Sequence, residues 1–305
     1  MAASQPQARE PGSPAGQTPA AAPARNHGRA GRNLPAAIGV GVVLGGALVA
    51  CLLWWPLGFV LMIAAFLVLG AVEVHKALKR LEMHAAIVPI VLGTFSIVTG
   101  SYFAGRSDFD IPSNTLMLAM IGITALLTMV WRMFGGEQGY VRDVAASMLI
   151  IGYIPLQGSF VGLMLADDMG RARVITFIAV VCFGDIGGYV LGILAGKHKM
   201  APRISPKKTW EGFGGSLLFG IVAAVGMTVW VLEAPFWVGI ILGVVLVVVG
   251  ACGDLIESLI KRDIGIKDMS SFLPGHGGVM DRIDSLVVAA PAAWLTMFLM
   301  LPGAP

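Results

Sequence analysis

Six of the chain's eighteen carboxylates and four of its twenty-one Lys and Arg fall within residues 253–285, GDLIESLIKRDIGIKDMSSFLPGHGGVMDRIDS. Mixed charge at that density, with a Pro-Gly-His-Gly-Gly turn inside it, is what a site needs to hold metal ions and phosphates beside a membrane. Asp254, Glu257 and Lys261 are spaced three and four apart. They share one face if the apolar helix before them continues into this segment, with Ser258 alongside. Asp281 and Asp284 are again three apart, at the start of the next apolar run. Carboxylates at two helix ends, brought together across the PGHGG turn, offer oxygen ligands to a hard cation such as Mg²⁺. Helix capping accounts for Asp281 or Asp284 taken singly, but not for Asp254, which follows a long apolar run. Lys261, Arg262, Lys267 and Arg282 are cations that a bare metal cage would not want and a metal–nucleotide site would. His276, set between glycines, reads as a turn or ligand-contact residue, since no Cys or second His stands nearby to complete a zinc site.

A second polar segment, residues 196–211, reads GKHKMAPRISPKKTWE and carries five cations around a helix-breaking Pro-Arg-Ile-Ser-Pro turn. Adjacent Lys207 and Lys208 suit a polyphosphate, with the Ser205 and Thr209 hydroxyls able to donate hydrogen bonds. Taken alone, the segment reads better as a positively charged loop that orients membrane helices. Asp185 lies near the middle of an apolar run. Its cost there, about 2.5–3.5 kcal/mol on insertion scales, implies that it faces a polar cavity rather than lipid. Tyr189, one turn on, shares that face, and Gly184, Gly188, Gly192 and Gly196 form a stripe that lets another helix approach closely.

The elements that must position these residues are membrane helices. Of the 305 residues, 56% are apolar and 13% charged, 40 are glycine, and mean hydropathy is +0.81, far too apolar for an ordinary soluble domain. Nine apolar runs of about 17–22 residues, each able to cross a hydrocarbon core about 30 Å thick, span 34–53, 57–74, 85–103, 111–130, 144–165, 174–195, 213–231, 236–252 and 285–301. They are continuous rather than alternating, so the expected fold is all-α and polytopic, not a barrel. With the N-terminus cytoplasmic, eighteen of the twenty-one Lys and Arg fall on that side. Only Arg106, Arg171 and Arg173 fall opposite, which places the C-terminus outside. Lys76, Lys79 and Arg80 read as orientation signals of this kind. Residues 1–33, rich in Ala, Pro, Gly and Gln, are expected to be a disordered cytoplasmic tail. Residues 34–165 then hold helices one to five. Residues 166–305 form a catalytic region of helices six to nine, with cytoplasmic loops 196–212 and 253–284. Cys51, Cys182 and Cys252 lie far apart in apolar segments and offer neither a disulfide framework nor a CxxC site.

Residues 258–284 read S-x-I-K-R-x4-K-D-x-S-x2-L-P-x-H-G-G-V-x-D-R-I-D. This pattern resembles the complete signature of the phosphatidate cytidylyltransferases, or CDP-diacylglycerol synthases. SPKKTWEG at 205–212 resembles a second marker of that family. DIGGYVLGILAGK at 185–197 resembles a third, with Gly188 where Ala is more usual. The resemblance implies an all-helical inner-membrane enzyme, often dimeric, that converts CTP and phosphatidic acid into CDP-diacylglycerol and pyrophosphate. It implies a binuclear Mg²⁺ and K⁺ centre, whose aspartates fall on Asp254 and Asp281; the spacing of the acidic residues adds Asp284 as a further ligand. Catalysis is then expected from Asp254, Asp281, Lys261 and Arg282. Substrate binding is expected from Ser205, Lys207, Lys208, Arg262, Lys267, His276 and Asp185, at the cytoplasmic membrane surface. No Walker-type loop and no GxGxxG after a strand is present, and nucleic acid is not an expected partner. Two competing readings are a CTP-dependent enzyme for another lipid phosphate and a secondary transporter. Against the transporter, most of the special charge lies in loops, and no paired interrupted helices or inverted repeat are seen.

Overall fold

The computed structural model describes residues 34–104, 113–167, 169–270, 272 and 277–301, with the side chains of 34–40, 42, 104 and 113 left aside. The expectations for the 1–33 tail and for His276 lie outside the described residues. Helices α1 (Leu34–Trp54), α2 (Pro56–Leu78), α3 (Ile87–Ala104), α4 (Ser113–Met133), α5 (Tyr140–Tyr153) and α6 (Pro155–Ala166) form the first part of the chain. Helix α7 (Gly170–Leu194) leads into strands β1 (Lys199–Ala201) and β2 (Ser205–Thr209), followed by α8 (Trp210–Trp230), α9 (Phe236–Ile264) and α10 (Met280–Met300). Among the described residues, seven helical stretches are long and apolar enough to cross a membrane. Two shorter apolar helices, Val43–Trp54 and Ile87–Phe103, stand beside them. The chain is an all-α polytopic membrane protein, and exposed Leu92, Leu126, Ile193 and Val222 are the side chains such a surface turns to lipid.

Three differences from the sequence-based expectation have local causes. The run at 144–165, expected as one helix, breaks into α5 and α6 at Ile154, because Pro155 has no N–H to donate and its ring clashes with the turn before it. The loop at 196–212 folds into an antiparallel hairpin, with Lys199 opposite Thr209 and Ala201 opposite Ser205. Helix α9 does not stop at 252 but runs on to Ile264, carrying the charged segment out of the apolar span. Gly265 then ends it at φ +76°, a left-handed conformation that glycine adopts without penalty.

Close helix packing follows from small residues. A Cβ at Gly187 would sit 2.5 Å from the Gly215 carbonyl oxygen, and one at Gly188 would sit 2.3 Å from Ser216 Oγ, so α7 and α8 meet almost backbone to backbone. At Gly253 a Cβ would be 2.8 Å from the Asp284 carbonyl oxygen, which marks a similarly close crossing of α9 and α10. Hydrogen bonds gather several connections at one end of the bundle. His84 N donates to Asp143 Oδ1 at 2.8 Å, joining the α2–α3 connection to the start of α5. Met280 N donates to Glu73 Oε2 at 2.8 Å, joining the start of α10 to the end of α2. At the opposite end, Arg173 pairs with Asp167 at 2.7 Å across the α6–α7 connection.

Candidate active site

The site is built where α9, α10 and the hairpin converge. Continuation of α9 places Asp254, Glu257 and Lys261 on one face, as their spacing requires. The Lys261 ammonium lies between Glu257, with which it forms an i,i+4 ion pair, and Asp281 Oδ1 at 2.7 Å. The other oxygen of Asp281 accepts from Met269 N at 3.0 Å and Gly278 N at 2.8 Å. One carboxylate therefore fastens the end of α9, the loop after it and the first turn of α10. Asp284, one turn further along α10, faces the carboxylates of Asp254 and Glu257 and is nearly buried.

The glycines before α10 are steric requirements. Gly277 has φ +87°, and a Cβ at Gly278 would meet Glu73 Oε2 at 2.7 Å and Asp281 Oδ2 at 2.9 Å. Glu73 itself was not anticipated. Reaching in from α2, it accepts from Ser270 Oγ at 2.5 Å, Val279 N at 2.9 Å and Met280 N at 2.8 Å, and so caps α10 from a different helix. Its signal in the sequence was a carboxylate at the end of the apolar run 57–74, where the insertion cost that marks Asp185 at mid-span is weaker.

Strand β2 delivers the other cations. Lys208 pairs with Asp254 at 2.6 Å, while Thr209 caps α8 by accepting from Gly212 N at 3.1 Å. At the base of the hairpin, Glu211 accepts from Lys197 N and His198 N and pairs with His198 Nδ1 at 2.6 Å. Arg262 donates to the Ile204 carbonyl at 3.3 Å, tying the end of α9 to the hairpin turn near Ser205. Lys207, Lys208, Asp185, Tyr189 and Asp254 line one cavity of about 350 Å³ between α7, α8, α9 and β2. Asp185 therefore faces a polar cavity as expected, and its carboxylate reaches the Ser285 hydroxyl of α10.

Two expected residues stand apart from this cluster. Lys267 is exposed in the loop after α9. Arg282 lies on a different face of α10 from Asp281 and Asp284 and lines an apolar cavity of about 300 Å³ between α1, α2, α6, α7 and α10. Consecutive helical residues point about 100° apart, so neighbours in the motif serve different spaces.

The donor set suits a hard cation. Asp185, Asp254, Glu257, Asp281 and Asp284 outnumber Lys207, Lys208 and Lys261, and Glu257 Oε1 is buried with no hydrogen-bond partner among the described residues. A buried carboxylate oxygen left unpaired beside other carboxylates is satisfied by a cation with oxygen ligands. Among the described residues no three His, Cys, Asp or Glu side chains enclose an ion, with Lys208 and Lys261 lying against Asp254, Glu257 and Asp281. Oxygen donors are what a hard cation takes, and Lys208 and Lys261 occupy part of the set.

Comparison with known proteins bears on this geometry. The model of the cytidylyltransferase family matches residues 35–300. A phosphatidate cytidylyltransferase of Mycobacterium leprae is 38% identical, covering 91% of this chain and 91% of its own. That of Mycobacterium tuberculosis is 37% identical over 91% of this chain and 86% of the relative. One from Synechocystis is 34% identical over 60% of this chain and 72% of the relative.

Proposed function

As this chain belongs to the cytidylyltransferase family, we propose that it transfers CMP from CTP to phosphatidic acid, yielding CDP-diacylglycerol and pyrophosphate. The observation that carries this reading is the Lys208–Asp254 pair across a cavity that also holds Lys207 and Asp185, at the bundle end where the charged loops meet. A phosphate oxygen of the lipid attacks the α-phosphorus of CTP. The bond from that phosphorus to the bridging oxygen of the β-phosphate breaks, and pyrophosphate departs with the electron pair. The nucleophile is already an anion, so no strong general base is needed.

Lys207 and Lys208 are placed to hold the triphosphate, with Ser205, Arg262 and Lys267 around its entrance and Lys261 and Asp281 fixing the floor. Such cations neutralise charge that grows as pyrophosphate leaves. Arg282 meets the lipid phosphate from the other face of α10, and the apolar cavity beside it takes an acyl chain. Mg²⁺, with K⁺ as a second cation, would be held by Asp254, Asp281 and Asp284 and would supply electrostatic stabilisation of the leaving group. The excess of Lys and Arg on the hairpin side supports a cytoplasmic site in the cell membrane. A homodimer rests on the family resemblance.

The deciding experiment incubates purified protein in detergent with CTP, Mg²⁺ and phosphatidic acid, alongside ether-linked phosphatidate and polyprenyl phosphate, and follows liponucleotide and pyrophosphate. Metal-dependent CDP-diacylglycerol from phosphatidic acid is expected. Product only from another lipid would replace the substrate, and no product together with no CTP binding would sink the enzyme reading. Lys207→Ala is expected to lower kcat/KM for CTP by about tenfold or more, as loss of one charge-assisted phosphate contact requires. Unchanged kinetics would return β2 to an orienting role.

A further inference from the structure

Glu73 serves the start of α10, but His75 on α2 and Lys79 on the 3₁₀ turn that extends it (Lys79–Leu81), two and six residues later, lie well round the axis, by about 200° and 240° at 3.6 residues per turn. They line a second, open cavity of about 1080 Å³ together with His84, Arg132, Arg142 and Asp143. Asp143 is the one carboxylate among the residues lining it. It accepts from Arg132 Nε at 2.7 Å and lies 3.6 Å from Arg142 Nε, and Arg132 is further held by the carbonyls of Gly136 and Gln138. Lys79, Arg132 and Arg142 thus outweigh it, and the cavity carries net positive charge. His75 is only 5% exposed, and its Nδ1 has no hydrogen-bond partner among the described residues.

The cavity continues into apolar space. Val88, Trp131 and Phe134 line both it and a groove of about 410 Å³ between α3 and α4, bounded by Leu92, Ile123 and Leu127. Phe134 is 88% exposed and Trp131 51%, at the rim where charge gives way to grease. Aromatic residues at such a border match the headgroup level of a bilayer. A basic pocket between helices that opens onto an apolar groove matches a phospholipid, not a free anion, which would leave the groove unused.

We propose that these joined spaces bind an anionic phospholipid, its phosphate between Lys79 and Arg142 and an acyl chain in the α3–α4 groove, outside the catalytic centre. The site stands independently of the reaction assigned above, because neither α9, α10 nor the hairpin lines it. A diester lipid such as phosphatidylglycerol lacks the phosphate monoester that attacks CTP, so it reports on this site without turnover.

The full chain in detergent is titrated with phosphatidylglycerol brominated on its acyl chains, with brominated phosphatidylcholine and inorganic phosphate in parallel arms, and tryptophan quenching is read. Trp131→Phe identifies the component at the rim. Saturable quenching of Trp131 is expected, with a preference of about thirtyfold for the anionic lipid, the size that two surface cations confer. In the Lys79→Ala/Arg142→Ala double variant that preference falls to parity, while turnover of phosphatidic acid stays within about twofold of wild type. Both residues are surface-exposed, and should the double variant not insert, Lys79→Ala alone gives the same readout with a smaller shift. Equal quenching by the two lipids, a preference unchanged in the variants, or displacement of the lipid by millimolar inorganic phosphate overturns the proposal. So does a collapse of turnover in the variants, which would place these residues on the substrate's own path.

Discussion

Asp281→Asn is expected to lower CDP-diacylglycerol formation by about 10³-fold, with membrane insertion intact, because it removes a charge from a centre whose work is electrostatic. The wild-type carboxylate accepts from the Lys261 ammonium on one oxygen and from Met269 N and Gly278 N on the other. An amide keeps one acceptor and turns an NH₂ group toward a donor, so either Lys261 or the two backbone N–H groups lose their partner. In the first case Lys261 answers to Glu257 alone, and in both a ligand proposed for Mg²⁺ is neutral. Steady-state turnover across a Mg²⁺ series checks this. Near-normal turnover at every Mg²⁺ concentration would remove Asp281 from both the ligand set and the catalytic floor.

Glu73→Ala should be almost as damaging by another route. It strands the buried N–H groups of Val279 and Met280, releases the Ser270 hydroxyl, and takes a negative charge from the N-terminus of α10. At about 1–3 kcal/mol for each stranded donor, the loss is about 3–5 kcal/mol, and the midpoint of thermal unfolding falls by about 5–15 °C. Turnover falls by about 10²-fold or more even below that midpoint, since Asp281 and Asp284 ride on the helix that Glu73 holds. Glu73→Gln, which keeps an acceptor oxygen, should recover part of both losses. A midpoint within about 1 °C of wild type together with normal turnover would show that α10 is held by its packing alone.

Much of the site was legible because an α-helix relates residues three and four apart without further information. Asp254, Glu257 and Lys261 fall on one face of α9, and Asp281 and Asp284 on one face of α10, as their spacing implied. Asp185 announced a polar cavity by its cost in lipid. Periodicity is silent on which helices meet. Nothing in the spacing says that Lys261 pairs with Asp281, that the space Arg282 faces is an apolar cavity, or that a glutamate on α2 completes the turn before α10. The hairpin at 199–209 was hidden because five cations and two prolines describe a loop equally well. Pro155 was in plain view inside an apolar run, but length alone allowed one helix where ring geometry makes two.

The hydrogen bonds from α10 to Glu73 span 206 and 207 residues of chain. During synthesis α2 enters the bilayer long before its partners leave the ribosome, so for most of translation Glu73 is a carboxylate waiting near the membrane surface with no helix to cap. The last helix to be made supplies the donors that settle it, and the same event places Asp281 and Asp284. A nascent chain that has inserted α1 to α9 therefore has Lys207, Lys208 and Asp254 in place but lacks Asp281 and Asp284. With Asp281 and Asp284 in the roles proposed above, turnover waits for the final span, and a chain interrupted anywhere upstream is expected to be an inert membrane protein rather than a half-working one.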